Sequence, residues 1–276
     1  MQMLFTKMHA LGNDFIVVDA GGLDLPDTKA IRGLADRRTG IGFDQMLWLE
    51  PPRTDGTDVY YRIFNADGHE VEQCGNGARC IAWFLAGHTA DGHQREFNLE
   101  HPGGISRATI ADDGDVSVEL GVPNFEPAGV PFIADDQRQT YALDVDGEVV
   151  AAGVVSIGNP HAVIEVDSVD DAPVARLGPL LERHDRFPNR ANIGFMQVVA
   201  ADRIRLRVFE RGTGETRACG TGACAAMIVG RAAGRLAEAV VVELPGGTVT
   251  VSWKGPGSGV WLTGDAVTVF EGTIKV

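Results

Sequence analysis

Cys74-Gly-Asn-Gly-Ala-Arg-Cys80 and Cys219-Gly-Thr-Gly-Ala-Cys224 are one phrase written twice in a chain of 276 residues. The surroundings of each copy repeat as well. Gly12-Asn13 stands ahead of Cys74 at nearly the interval by which Gly158-Asn159 stands ahead of Cys219, and Asn65 and Glu210 each lie nine residues before their cysteine. Ile41-Gly42-Phe43-Asp44-Gln45 is echoed by Ile193-Gly194-Phe195-Met196-Gln197, and Pro102-Gly103-Gly104 by Pro245-Gly246-Gly247. Anchors that keep one order over such a span point to two homologous halves. The expected division is 1–121, completed by a C-terminal strand in 265–276, and 122–264. The stretch from Gly121 to Asp144, with Pro123, Pro127 and Pro131 among acidic residues, reads as the connection. The length suits two modest domains, each able to bury a core.

Between the anchors the pattern is mostly strand. Val59 to Phe64, Arg203 to Val208, Val116 to Leu120 and Val260 to Leu262 are rich in β-branched and aromatic residues or alternate with period two. The helices fall where the cysteines are. Ala78-Arg-Cys-Ile-Ala-Trp-Phe-Leu-Ala86 and Ala223-Cys-Ala-Ala-Met-Ile-Val229 are apolar on nearly every face, and each is expected to end at a glycine, Gly87 or Gly230. A helix of that kind has to be buried on nearly every side. The fold class expected is therefore α+β, with two pseudo-symmetric domains. Each is a curved sheet or barrel around a central apolar helix whose N-terminus opens toward the other half. Lesser helices are expected near Asp27 to Arg37 and Ala172 to Arg183.

The formal charge of -14 and the isoelectric point near 4.8 argue against nucleic acid or an anionic membrane as partner, since both would repel the protein. Four cysteines in a chain this long, with no charged-then-apolar leader and no apolar run long enough for a bilayer, lead us to expect a cytoplasmic protein with reduced thiols.

A thiol titrates near ~8.5 when unperturbed, and the partial positive charge at a helix N-terminus favours its thiolate. Cys74 and Cys219 at glycine-rich helix starts are thus candidate bases. Gly75, Gly77, Gly220 and Gly222 leave backbone N–H groups open to a carboxylate, and the same grip would stabilise the enolate-like charge formed when an α-proton leaves an amino acid. Abstraction by one sulfur and return by the other, from opposite faces, would invert that carbon. Pyridoxal phosphate would need a Schiff-base lysine, and Lys7, Lys29, Lys254 and Lys275 offer no glycine-rich or buried setting, so no cofactor is expected. Cys80 and Cys224 fall inside the apolar helices and read as core. Metal binding is not expected either, because the cysteine spacings depart from tight zinc pairs. His9, His69, His88, His93, His101 and His184 read as surface or packing residues. The glycine phrases contain neither a P-loop lysine nor a dinucleotide fingerprint.

The blocks Lys7-Met-His-Ala-Leu-Gly-Asn-Asp-Phe15, Asn65-Ala-Asp-Gly68 with Cys74-Gly-Asn-Gly77, Gly158-Asn-Pro-His161, and Glu210-Arg-Gly212 with Ala218-Cys-Gly-Thr-Gly222 resemble the signature of the diaminopimelate epimerases. The resemblance runs from near the start of the chain to about Gly272. It implies interconversion of LL- and meso-diaminopimelate, a step toward lysine and peptidoglycan precursors, with Cys74 and Cys219 as the two bases. It further implies two domains that close over this small amino-acid substrate, and a homodimer. Asn13, Gln45, Asn65, Gly75, Asn76, Asn159, Asn192, Glu210, Arg211, Gly220 and Thr221 would be substrate ligands, with Arg211 forked onto the distal carboxylate. His161 and Glu210 would tune the thiols. Phe270 stands where the family often has a tyrosine associated with dimer packing, and Asp265 where it often has proline.

Two other readings compete. A related two-cysteine racemase acting on proline or hydroxyproline would share the thiols but not the distal ligands. A thiol redox or metal-sensing binding protein would have no reason to exchange a substrate's α-proton.

Overall fold

The computed structural model describes residues 2–71, 74–88 and 94–275, so His93 lies outside the described residues. Two compact units emerge: residues up to Glu119 together with those from Thr263 onward, and Leu120–Leu262. The first runs β1 (Gln2–Ala10), β2 (Asn13–Asp19), α1 (Thr28–Ala35), β3 (Gln45–Glu50), β4 (Val59–Asn65), β5 (Glu70–Val71), α2 (Gly75–His88), β6 (Glu96–His101), β7 (Gly104–Ile110) and β8 (Val116–Glu119). The second runs β9 (Tyr141–Val145), β10 (Glu148–Ser156), β11 (Pro160–Glu165), α3 (Val174–Glu182), β12 (Asn192–Ala200), β13 (Arg203–Glu210), β14 (Gly214–Thr216), α4 (Gly220–Ala232), β15 (Ala239–Leu244) and β16 (Gly247–Ser252). The division falls within β17 (Trp261–Gly264), and β18 (Val267–Lys275) belongs to the first unit.

The pairing repeats strand for strand. In the first unit β1–β2 is antiparallel, β2–β3 parallel, β3–β4 antiparallel, β4–β6 parallel and β6–β7 antiparallel. From β10 to β16 the second unit follows the same sequence of pairings. The parallel steps are the ones that need long crossovers, and helices supply them: α1 and α3 at the first, α2 and α4 at the second. One difference marks the ends. β10 pairs with the preceding β9, whereas β1 pairs with β18, with Gln2 opposite Lys275 and His9 opposite Val267.

Strands covered on both faces read as near-continuous apolar runs. In β2 and β3, Ile16, Val18, Met46 and Trp48 pack with Ile31 and Leu34 of α1. Phe15 and Leu47 point the other way, toward Gly77 of α2, where a Cβ would meet the Leu47 methyl at 3.0 Å. α2 touches β1, β2, β6, β7, β8 and β18, while α4 touches β10 to β13, β15 and β16. Each unit is thus a curved sheet around a central helix. Gly75 to Ala82 of α2 and Gly220 to Ile228 of α4 are buried, as their composition requires. Among the described residues, no helix is long and apolar enough to cross a membrane.

Three expectations change. α2 continues through Gly87 to His88, and α4 through Gly230 to Ala232. Gly230 is a contact glycine and not a stop, because a Cβ there would lie 2.4 Å from Leu236 Cδ1. The match between Ile41–Gln45 and Ile193–Gln197 is not a structural equivalence: Ile41 to Asp44 precede β3, whereas Ile193 to Gln197 lie inside β12. Gly42 has φ +74°, while Gly194 is ordinary strand. The register decides the matter, since Phe15 stands opposite Gln45 as His161 stands opposite Asn192. Finally, the stretch expected as a connection is packed structure of the second unit. Val130, Phe132 and Tyr141 are buried in its core with Phe187, and Tyr141 to Asp144 belong to β9.

Candidate active site

Both copies of the cysteine phrase begin a central helix in the same way. Cys74 immediately precedes α2 and its carbonyl accepts from Ala78 N at 2.9 Å; Cys219 is the N-cap of α4 and accepts from Ala223 N at 2.9 Å. The third residue of each helix, Gly77 or Gly222, turns its N–H toward the cysteine sulfur, at 3.4 Å for Gly77 to Cys74 Sγ. At Cys74 the sulfur takes the role a serine or aspartate oxygen usually has at this position, whereas Cys219 makes no side-chain cap bond. Glycine is required at that third residue of α4, where a Cβ would lie 2.9 Å from Val208 and 3.2 Å from the Cys219 sulfur.

In the first unit, Asn13 follows a two-residue turn in which Leu11 and Gly12 both take positive φ. Its Nδ2 donates to Asp44 Oδ2 at 3.0 Å, and its Oδ1 faces Asn76 Nδ2 at 3.3 Å and the Cys74 sulfur at 3.9 Å. Asp44 also accepts from Asp14 N and pairs with Arg37, which clasps Asp14. Burial opposes ionisation of Asp14, but Arg37 and Lys7 outweigh it and hold its carboxyl well below the usual range. Gln45 Nε2 donates to Asn65 Oδ1 at 2.9 Å, while Gln45 Oε1 is buried with no partner among the described residues. Arg79, wholly buried, donates from Nη2 to Asn76 Oδ1 at 2.8 Å.

In the second unit, Cys219 is buried, and that burial pushes its thiol well above the ordinary value. The Glu210 carboxylate adds to the rise, and the Gly222 N–H and Thr221 hydroxyl oppose it without prevailing. Glu210 is held by the Thr216 hydroxyl. Thr221 Oγ1 lies 3.7 Å from the sulfur and 3.3 Å from Asn159 Nδ2, and Asn159 Oδ1 meets His161 Nε2 at 2.9 Å. Burial, and then the charge of Arg211, pulls His161 down to about 3, so this imidazole is neutral, and it is linked to the thiol through Asn159 and Thr221. Asn192 accepts from Arg211 N at 2.9 Å. Arg211 itself is exposed, its Nη1 donating to Asn189 O at 3.2 Å.

The sequence match is as extensive as the structural repeat. A sequence model described as diaminopimelate epimerase matches residues 5–126 and 153–269. The chain belongs to the diaminopimelate epimerase family. The two matched segments fall on the two units, so this family's fold is the duplicated one described above, and the chain is an isomerase of the epimerase superfamily. Solved structures share the fold at low identity. A hydroxyproline epimerase from Agrobacterium vitis, solved with trans-4-hydroxy-L-proline, is 17% identical over 99% of this chain and 92% of its own, with a TM-score of 0.70. A probable proline racemase from Agrobacterium radiobacter gives 18%, 99%, 92% and 0.69. A phenazine biosynthesis protein of the PhzF family from Bacillus anthracis gives 18% over the whole of both chains, with a TM-score of 0.67.

Within this family's fold, the residues singled out in the sequence form two groups, one per unit. Asn13, Gln45, Asn65, Cys74, Gly75 and Asn76 gather in the first, and Asn159, His161, Asn192, Glu210, Arg211, Cys219, Gly220 and Thr221 in the second. Cys80 and Cys224 are wholly buried in their helices, and burial pushes the Cys80 thiol up. His101 bonds Ser106 at 3.2 Å, His184 bonds Asp144 O at 3.1 Å, and His88 stacks on Phe84. Lys7 departs from expectation: it is buried, with its ammonium held by Asp14 and Gly42 O. A charge-paired ammonium is a poor Schiff-base nucleophile. Among the described residues, no three His, Cys, Asp or Glu side chains converge as metal ligands. Sequence reasoning missed Asp44, Arg79, Thr216 and Glu182, the last a buried carboxylate accepting from Gly212 N at 2.8 Å and so anchoring the turn of Arg211. Only Asp44 had a signal, its place beside Gln45.

Proposed function

We propose that the protein epimerises diaminopimelate between its LL and meso forms without a cofactor, using Cys74 and Cys219 as paired acid and base. The observation that carries this reading is a cysteine placed twice at the start of a buried, glycine-rich helix, with a glycine N–H acting on each sulfur. A thiolate takes the α-proton, the electron pair moves toward the carboxylate as an enolate, and the other thiol returns a proton to the opposite face. Each turnover leaves the sulfurs with exchanged protonation states. Cys219, kept as a thiol by burial and by Glu210, suits the donor's part. Helix N-terminal N–H groups at Gly75-Asn76 and Gly220-Thr221 suit the reacting carboxylate. The unpaired Gln45 Oε1 suits an ammonium donor, and Arg211 suits the distal carboxylate. Such a reaction places the protein in lysine and peptidoglycan precursor synthesis, in the cytoplasm.

The deciding assay incubates the protein with LL-diaminopimelate in deuterated water and follows both the meso product and deuterium at the α-carbon. L-Proline and trans-4-hydroxy-L-proline serve as parallel substrates, because proteins named for those activities share the fold. Epimerisation with deuterium incorporation for diaminopimelate alone is expected. Turnover of the prolines instead overturns the substrate assignment, and exchange with none of them overturns the reaction.

We also propose a homodimer. Leu4 on β1 and Val267, Val269 and Phe270 on β18 are exposed apolar side chains on paired strands, and Phe270 meets Phe5 edge-on at 5.9 Å.

A further inference from the structure

Counted from the N-capping cysteine, Arg79 and Cys224 occupy the same position of α2 and α4. The second unit fills it with a small thiol, so packing around the central helix does not demand a guanidinium there. Arg79 is 0% exposed, and its Nε and Nη1 have no hydrogen-bond partner among the described residues. Burying a guanidinium with unmade bonds is costly, and an arginine kept only for structure would be expected to have its donors satisfied. Its one bond, from Nη2, goes to Asn76 Oδ1 at 2.8 Å.

That bond ends a polar chain with one direction. Asp44 can only accept, so it takes Asn13 Nδ2 at 3.0 Å; Asn13 is left with Oδ1 inward, which takes Asn76 Nδ2 at 3.3 Å; Asn76 is left with Oδ1, which takes Arg79. An obligate acceptor at one end and an obligate donor at the other fix both amides between them. We infer that Arg79 and Asp44 are positioning residues for Cys74, locking Asn76 and Asn13 so that Asn13 turns its carbonyl oxygen, and not its NH2 group, to the sulfur and to an incoming ammonium. The twin half-site has the opposite polarity. There Asn159 accepts from His161 Nε2 and turns its NH2 to Thr221, the neighbour of Cys219. Cys74 thus meets an amide oxygen directly, whereas Cys219 meets the Thr221 hydroxyl that an amide NH2 addresses, so the two sulfurs are set differently. This role rests on the function proposed above.

The groups acting on Arg79 besides Asn76 are Cys80 and Cys74 at the same helix, Asp115 before β8 and Asp265 before β18. Tyr61, buried below, also feels Cys74 and is kept neutral by its burial. Arg79→Lys preserves the charge these groups feel and removes the planar fork, which separates positioning from field effects.

The test measures iodoacetamide alkylation of Cys74, which is half-buried, by peptide mass mapping at one fixed pH. Wild type, Arg79→Lys, Asn13→Ala and the double variant are compared. A hydrogen bond to a charged group is worth enough to change the rate about tenfold. Arg79→Lys should shift alkylation by about that factor in the native background and by less than about twofold when Asn13 is alanine, because the chain is already cut. No change in the native background, or an equal change in both, overturns the inference. Should Arg79→Lys fail to fold, Asp44→Asn at the exposed end makes the same prediction with the same control. Failure to epimerise diaminopimelate would overturn the proposed function and leave this measurement standing. Epimerisation without the Asn13 dependence would overturn the positioning role alone.

Discussion

A helix N-terminus favours a thiolate, yet Cys219 at the start of α4 has its thiol pushed up, because burial and the Glu210 carboxylate together exceed what one N–H and one hydroxyl contribute. At the equivalent end of β4 the first unit has Asn65, an amide without charge. Deeper burial of Cys219 and the exchange of amide for carboxylate together set the two repeated cysteines in unequal surroundings. Glu210→Gln should therefore bring the Cys219 thiolate out at lower pH and speed its alkylation at fixed alkaline pH about tenfold. An unchanged or slower rate, read by peptide mapping, would mean burial alone sets the value. Cys74→Ala and Cys219→Ala should each lower epimerisation by about a thousandfold or more in both directions, since inversion needs a proton carrier on each face. Cys80→Ala and Cys224→Ala should keep most activity and cost about 1–2 kcal/mol of stability, as buried groups removed from a core do. Appreciable epimerisation without Cys74 or Cys219 would remove the two-base mechanism.

Glycines at close approaches let several elements pack tightly against one another. Gly153 of β10 lies under Val229 of α4, so that an added Cβ would sit 2.3 Å from Val229 Cγ1, and Gly178 of α3 lies under the Phe209 ring of β13 at 2.6 Å. The first contact lets α4 press onto β10, the pairing partner of the strand that carries His161, and the second lets α3 press onto β13, which carries Glu210. Gly153→Ala should destabilise the second unit by about 1–3 kcal/mol through overpacking. Val229→Ala added to it should cost less than its own effect in the native background, because it opens the space the new methyl needs. Denaturant midpoints of the four proteins measure this. Strictly additive losses would place the strain elsewhere.

For the whole molecule, β18 couples the end of the chain to its beginning. Pairing with β1 satisfies the outer strand's backbone but leaves Val267, Val269 and Phe270 in solvent, with Phe270 on the sheet face of Phe5 and Lys7. Exposed apolar side chains gathered along one strand are a common mark of association. Phe270→Glu places a charge in that patch and should convert a dimer to a monomer in analytical ultracentrifugation. A sedimentation coefficient unaffected by the substitution would locate any dimer contact on another surface.

The duplicated phrase alone determined that there are two like units, that each buries an apolar helix, and that a cysteine begins each helix, because spacing and hydrophobic periodicity are local properties. Asn13, Asn65, Asn159, Glu210 and Arg211 could be singled out too, as parts of repeated or specific blocks, while their roles belong to the proposal. The register could not be read. Gln45 corresponds to Asn192 and not to Gln197, since strand pairing follows backbone geometry, and a similar string of letters can sit in a turn in one half and inside a strand in the other. Nor could the sequence show that Lys7 is buried between Asp14 and Gly42, or that Arg79 and Asp44 meet the two ends of one amide chain. It could not show that Cys219 keeps its proton against the pull of its helix. Those outcomes depend on which groups exclude water from one another and which way each amide faces. Only the packed tertiary structure decides that, because desolvation and hydrogen-bond direction belong to neighbours far apart in the chain.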